Sequence, residues 1–451
     1  MTEEITSALA KVKGLNVVAR TSAFQFKGEN KDLRAIGQAL SATHLIEGSV
    51  RKEGNEVRIT AQLIKADDGT HLWTESYDRE LKGVFAVQEE IATAIAASLE
   101  VPLGLKKGEA LVPNRTSDET VYENYLRAKA LVRSRSTDGF VQLTKAAKLL
   151  EQAVAREPDY GPAWALLALA YVLTPGYNSA YASGEKEQMR VFAETVIPKA
   201  DIAARRAIEL DPKSADAHVA LASVQAGRAQ LASADELFRQ ALALDAGNAD
   251  ALHLYSGMLA DAGFIKRAIP MRARLQALEP LVPVFQMSQA RVLFASGDTD
   301  SALAALQLPN LAFQYAILYA AQGRFTQAAD TLLKGPNLFL SERVEVAAKL
   351  LRAAPSPAAS PQSLPRLGLL EFAYLYAGAS TRVLDFYDDM LETGWRHPTL
   401  TIMLWAPSYA NVRKTDRFKD FVQKAGYVDY WRAKGWPEFC HPLGTDDFAC
   451  E

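Results

Sequence analysis

The chain is poor in almost everything that marks a particular chemistry. Its 451 residues hold two cysteines, Cys440 and Cys450, which excludes a scaffold built on disulfides. No run of about 18 apolar residues occurs, so no membrane-spanning helix is expected. The opening MTEEITSALAK lacks the pattern of a signal peptide. Neither sign of charge is in excess: the net charge is −3, and Lys and Arg are spread throughout, leaving no basic face for nucleic acid. The patterns GxGxxG and GxxxxGK[ST] are missing, so no phosphate cradle is indicated. GxSxG and HExxH are missing too. The expectation is a chain with no catalytic residue, no cofactor and no metal.

Four clusters stand against that expectation. Near the C-terminus stand Cys440, His441, Asp446, Asp447 and Cys450. Structural zinc takes four ligands, usually in paired CxxC-like spacings, and C-H-x8-C offers three. Ordinary packing or exposure is the favoured reading. A Cys440–Cys450 disulfide stands second, because it would need an oxidising compartment. His71, Trp73, Glu75 and Tyr77 alternate along one strand and read as a cross-strand aromatic face rather than a ligand set. Glu89-Glu90 reads as a solvated helix face and Asp67-Asp68 as turn chemistry.

What the chain does have is core and period. Hydrophobic residues make up 49% and charged residues 23%, enough for two or three globular domains. Asp211-Pro212, Asp245-Ala246 and Glu279-Pro280 lie 34 residues apart, each closing a helix-like run. A fourth such run ends at Pro158, one repeat plus a 20-residue insertion earlier. The insertion, from Thr174, is expected to be a long inter-helix loop or a helix extension. A fixed 34-residue period is the sign of stacked helix–turn–helix units. Each unit pairs bulky residues with small ones, as in Trp164, Leu167-Ala168 and Tyr171, then Ala234, Phe238 and Ala241. Small residues let two helices approach while large ones fill the space opposite. From Gly161 to Pro280 these units resemble tetratricopeptide repeats, more loosely on either side. Seven helix pairs are expected, near 119–160, 161–214, 215–248, 249–282, 283–308, 309–340 and 365–395. A Pro-rich connection is placed at 341–365, with Pro355, Pro357, Pro361 and Pro365, and a helical tail follows over 366–451.

In such repeats the first helix of each unit lines a concave groove. The positions that fall there include Ala165, Leu169 and Val172, then Val219 and Ser223, then His253 and Gly257. They are small and apolar, without the Lys, Arg or Asn that would clamp an acidic peptide terminus. This suits an amphipathic helix or an extended apolar segment. The competing reading is that the face packs on the chain's own neighbouring elements.

The first hundred residues follow other rules. TEEITSALAKV carries an Ile5, Leu9, Val12 stripe, LNVVAR (15–20) reads as a short strand, and KDLRAIGQAL (31–40) as a helix. Three strands follow in a meander through Lys52-Glu53-Gly54-Asn55 and Asp67-Asp68-Gly69. The middle strand places Val57, Ile59, Ala61 and Leu63 on one face and Arg58, Thr60 and Gln62 on the other, a sheet buried on one side. GVFAVQEEIATAIAASL closes the block as a helix offering Phe85, Ile91, Ile95 and Leu99. The runs VVARTSAFQFKG, ATHLIEGSVRKEGNEVRITAQLI and DGTHLWTESYDREL resemble the TolB-like amino-terminal domain of bacterial signalling proteins. LWAPSYANVRKTDRFKDFVQKAGYVDYWRAKGWPEFC resembles the tail of the same proteins. The resemblance implies an α/β domain with a mixed sheet over 1–103, a linker at 104–118, and an all-α tetratricopeptide superhelix after it. It implies the regulatory or sensory half of a signalling system, whose relatives carry an adenylate cyclase or winged-helix domain ahead of this region.

Neither output domain is present, and the family's first strand has no counterpart before the TEEI helix. That leaves two readings beside a non-catalytic scaffold that binds a protein or peptide: a fragment of a cyclase or transcription regulator, or, least favoured, an independent enzyme. Under the fragment reading, the expected start lies inside a longer coding sequence. Taken as written, the chain is expected in the cytoplasm, or in the periplasm if a membrane segment stood upstream.

Overall fold

A computed structural model describes residues 5–6, 9, 12, 15–18, 20–27, 32–53, 56–80, 84–99, 116, 118–135, 138–306, 311–335, 339–396, 401–445 and 447–451. The chain divides into two compact units, residues 1–122 with 275–282, and residues 123–274 with 283–451.

The first unit is built on a meander. Strands β1 (His44–Glu53), β2 (Glu56–Lys65) and β3 (His71–Glu80) pair antiparallel in the order β1-β2-β3. The alternation of β2 has the expected outcome: Val57, Ile59, Ala61 and Leu63 are each at most 3% exposed. The other face is a wet ladder, with Arg58 paired to Asp78 at 2.6 Å, Thr60 to Ser76 at 3.2 Å and Gln62 to Glu47 at 3.1 Å. Helix Val84–Ser98 lays Val87, Ile91 and Ile95 on the apolar face, together with Ile5, Leu9 and Tyr77. Trp73 and Tyr77 of the alternating cluster face this core, whereas His71 and Glu75 are exposed. That is the packing reading, not a ligand set. Asp68 accepts the Thr70 N–H at 2.9 Å, the expected turn chemistry. Helix Leu33–Leu40 starts at Asp32, whose carboxylate accepts from Arg34 N.

Two expectations for this unit are corrected. Residues 15–18 of LNVVAR form no strand, and Arg20–Ala23 is helical. Leu15 and Val17 still turn toward the core, so the alternation reports burial, while strand geometry needs a hydrogen-bonding neighbour, and among the described residues no strand pairs with 15–18. With 15–18 outside it, the sheet of the described residues is purely antiparallel, not mixed.

The second unit is helical and repetitive. Helix pairs run Glu119–Arg133 with Gly139–Arg156, Gly161–Leu173 with Lys186–Leu210, and Ala215–Gly227 with Leu231–Leu244. Ala249–Asp261 leads into Ile265–Leu278, Pro283–Ala295 pairs with Thr299–Ala305, and Ala312–Ala321 with Phe325–Lys334. The starts are written locally: Ser214 Oγ accepts from Ala217 N at 3.2 Å and Asn248 Oδ1 from Ala251 N at 2.9 Å, each an N-cap. The turns between paired helices carry the period as well. Ala229, Gly263 and Gly297, spaced 34 apart, all have left-handed φ, of 61°, 89° and 94°. The insertion is both loop and extension: a turn at Thr174–Tyr177, a short helix Ser179–Ser183, then a second helix lengthened to 25 residues.

The C-terminal third departs from the expected plan. Ser341–Ala353 is a helix, so only the Pro-bearing stretch after it connects. Residues 365–395 form no seventh helix pair; 3₁₀ turns at Gly368–Tyr376 and Ser380–Val383 lead into one helix, Leu384–Leu391. Helices Asp416–Lys424 and Tyr427–Lys434 follow, then a hairpin of β4 (Cys440–Leu443) and β5 (Asp447–Cys450). Cys440 and Cys450 stand opposite each other in that hairpin and form a disulfide. Simple packing of the two thiols, favoured from sequence, is thus corrected: a tight antiparallel turn brings a ten-residue separation face to face. Asp446 lies outside the described residues, and among these no group of His, Cys, Asp or Glu forms a metal site.

Candidate functional site

All seven groove positions are buried, and three of them form the inner wall of a cleft. Ala165, Leu169 and Val219 line one shallow cleft, its interior about 20 Å³ inside about 400 Å³ that includes the open mouth, with Pro162 and Leu166 beside them. Its floor is built by successive first helices, Gly161–Leu173 and Ala215–Gly227, whose small residues let the backbones approach. Leu166 and Pro162 are half-buried at the mouth.

The rim is charged, which corrects the expectation of a groove without cations. Helix Glu119–Arg133 contributes Tyr125, Lys129, Val132 and Arg133, and the later first helices contribute Asp216 and Asp250. Arg133 pairs with Asp250 at 2.9 Å, both largely buried, and its guanidinium lies 5.3 Å over the Phe285 ring. Asp216 accepts from Asn248 Nδ2 at 2.7 Å. Sequence reasoning overlooked these cations because they come from the preceding, loosely matching unit. The signal was there: Tyr125, Lys129 and Arg133 follow a spacing of four, one stripe of a helix.

The remaining groove positions are not open. Val172 and Ser223 are at most 1% exposed, and Ser223 Oγ donates to Val219 O of its own helix. His253 is 3% exposed and packs on Phe285, ring centres 4.8 Å apart. Buried Arg272 donates to its Nδ1 at 2.9 Å and to its carbonyl at 3.0 Å, which leaves the ring proton on Nε2. Burial pulls the Arg272 guanidinium down to about 9. Gly257 is buried as well. These four therefore serve packing, as the competing reading held.

The C-terminal segment packs at the far ends of the first helices. Trp395 lies where a Cβ on Gly227 would be, 1.8 Å away, and Arg396 N donates to Gly227 O at 2.9 Å. Asp261 Oδ1 accepts from Thr401 N at 2.8 Å, and the Asp261 carbonyl from Trp405 Nε1 at 2.9 Å. Trp431 Nε1 donates to Ala262 O at 2.8 Å. Glu438 accepts from Ile265 N and Lys266 N, both at 3.0 Å, a carboxylate on the positive end of a helix. At the centre of this clasp is Asp235, whose Oδ1 accepts from Tyr255 and Tyr430 at 2.7 and 2.8 Å, while Oδ2 meets Lys434 at 3.1 Å. Burial alone would push that carboxyl up; the hydrogen bonds from Tyr255, Tyr430 and Lys434 outweigh it and hold it below the usual carboxylate range.

Parts of the chain are similar to known proteins. No family model matches the chain. It is 34% identical over 169 residues to a Rhizobium meliloti protein described as "Putative adenylate cyclase 3", covering 38% of this chain and 28% of that one. It is 48% identical over 61 residues to the type IV pilus assembly protein PilF of Pseudomonas aeruginosa, 14% of this chain and 24% of that protein. The chain thus spans about a quarter of the length of each. Among solved structures, yeast Tom70 aligns over 78% of this chain and 74% of its own, with 13% identity and a TM-score of 0.36. The helix bounds and the left-handed turn slots make the helical unit an array of paired helices with a 34-residue period.

Among the described residues no helix is long and apolar enough to cross a membrane.

Proposed function

We propose that this chain is a non-catalytic interaction module whose open groove, lined by Ala165, Leu166, Leu169 and Val219, takes a short apolar peptide segment. One observation carries the reading. Of the concave positions, Ala165, Leu169 and Val219 wall a cleft with half-buried Pro162 and Leu166 at its mouth and a mixed-charge rim, whereas His253 and Gly257 are used up in packing. The apolar floor supplies burial, and Lys129 and Asp216 at the edges give a peptide polar partners at both ends. The Arg133–Asp250 pair neutralises itself, so a strongly charged partner has no matching field there.

The finer reading is that the TolB-like first unit and the repeats together form the regulatory half of a signalling assembly. The sequence resemblance of residues 2–99 supports this, as does the 169-residue likeness to a protein named as a cyclase. Peptide-library selection on the full chain tests the groove. Leu166→Glu, at a half-buried mouth position, abolishes binding of selected peptides while leaving helicity intact. Retained binding by that variant rejects the groove as the site. Turnover of a nucleotide by the isolated chain would favour the enzyme reading instead.

A further inference from the structure

The sheet of the first unit is covered unevenly. Helix Val84–Ser98 packs on β2 and β3, and the core beneath it draws on Val57, Ile59, Ala61 and Leu63 of β2 and on Trp73 and Tyr77 of β3. Among the described residues, none from β1 belongs to that core. Yet the register sets Ile46, Gly48 and Val50 opposite Leu63, Ala61 and Ile59, and directly opposed residues of an antiparallel pair share a face. Ile46 and Val50 therefore sit on the apolar side of the sheet, but are 42% and 54% exposed, against 1% for Leu63 and Ile59. Between them Gly48 is bare backbone, and a Cβ there would meet Thr60 O at 2.7 Å.

β1 is also an edge. It pairs with β2 on one side, and among the described residues no strand pairs with the other. Just beyond the ladder the Ala66 N–H donates to Thr43 O at 2.9 Å, which fixes the alternation. Leu45, Glu47, Ser49 and Arg51 turn their backbone groups toward β2, and Ile46, Gly48 and Val50 turn theirs outward. Unpaired N–H and C=O groups along an exposed edge are a template for another strand. The wet face of β1 says which strand fits. Glu47 and Arg51 stand at equal distances on either side of Ser49. Glu47 accepts from the neutral Gln62 at 3.1 Å. Arg51 lies opposite Arg58, whose own acid, Asp78, is already taken at 2.6 Å.

We propose that β1 is the edge of a homodimer, pairing antiparallel with β1 of a second copy of this chain about a two-fold axis at Ser49. In that register each Glu47 faces the Arg51 of the other copy, so one ion pair forms on each side of the axis. The outward backbone groups of Gly48 and Val50 meet each other. Each Val50 covers the bare Gly48 of the other copy and lies diagonal to its Ile46, within reach of a branched side chain. Glu53, at the strand end, faces the uncharged Leu45. The strand thus carries its own complement, as an interface between identical copies requires. One sheet runs through the dimer, with three strands from each copy.

Sedimentation velocity on the full chain, across the micromolar range, tests this. The natural chain should sediment with the mass of two chains. Glu47→Arg and Arg51→Glu each set like charges opposite each other on both sides of the axis, and each should weaken the dimer at least about tenfold. The double variant Glu47→Arg/Arg51→Glu restores both pairs with their signs exchanged and should dimerise like the natural chain. Both side chains are exposed, so far-UV circular dichroism should be the same for all four proteins. A monomeric natural chain overturns the proposal without reliance on any variant, and leaves β1 to a strand from another source. A dimer indifferent to both single variants places the contact elsewhere and overturns it equally, as does a double variant no tighter than the single ones. The groove reading stands or falls separately, on Leu166→Glu.

Discussion

Removing the Asp235 carboxylate should release the C-terminal segment from the repeats. The side chain is 2% exposed and receives two tyrosine hydroxyls and the Lys434 ammonium. Asp235→Ala leaves all three donors without their shared acceptor. Breaking a buried charged pair by removing one partner costs about 3–5 kcal/mol, a large part of a domain's stability. Asp235→Asn keeps Oδ1 for Tyr255 and Tyr430 but turns an amide toward Lys434, so it should cost about 1.5–3 kcal/mol. Tyr430→Phe should cost about 1 kcal/mol. The assay is urea unfolding followed by the fluorescence of Trp405 and Trp431, which are buried in the same segment. The pH dependence has a definite sign. A carboxyl whose folded pKa is depressed contributes stability above its unfolded value of about 3.9 and loses it as pH falls through the folded one. The gap between natural chain and Asp235→Asn should therefore be full at neutral pH and close below about pH 4. Coincident unfolding curves for Asp235→Ala and the natural chain at pH 7 would refute the clasp.

Three further outcomes follow from the packing. Ala241, fully buried where paired helices meet, should not accept a large ring: Ala241→Trp should cost about 1–3 kcal/mol or more, read as a lowered melting temperature. Ala229 occupies the left-handed slot that Gly263 and Gly297 fill one and two repeats later, so Ala229→Gly should stabilise the fold by about 1 kcal/mol in urea unfolding. Cys440→Ser opens the β4–β5 hairpin and should cost about 2–3 kcal/mol relative to the oxidised chain, and thiol titration of the denatured, unreduced natural chain should find no free cysteine; two free thiols would show the hairpin reduced.

How far the sequence alone reaches depends on whether structure is written locally. The β2 alternation and the Ser214 and Asn248 caps are local, and the meander and repeats could be read from them. LNVVAR misled because an alternating apolar run specifies which side chains are buried, while a strand also needs a partner. The C-terminal segment was read only as a helical tail. Its 3₁₀ turns have no long period, and Trp395, Thr401 and Trp405 gain meaning only against Gly227 and Asp261, more than a hundred residues earlier. Four of the seven groove positions, Val172, Ser223, His253 and Gly257, pack inside the chain, against partners such as Phe285 and Arg272 that the repeat period does not indicate. Ala165, Leu169 and Val219 wall the cleft, while Lys129 and Arg133 belong to a unit whose repeat signature is weak, so its rim was missed.

The central proposal is that a peptide docks at the cleft mouth marked by Leu166, over Ala165, Leu169 and Val219, whereas Gly257 is buried in packing. Photo-crosslinking from a benzophenone amino acid tests this most directly, placed in turn at Leu166 and Gly257 with a library-selected apolar peptide. Crosslinks to the peptide from position 166, and none from position 257, are the expected result. Peptide crosslinks from 257 but not from 166 would contradict it.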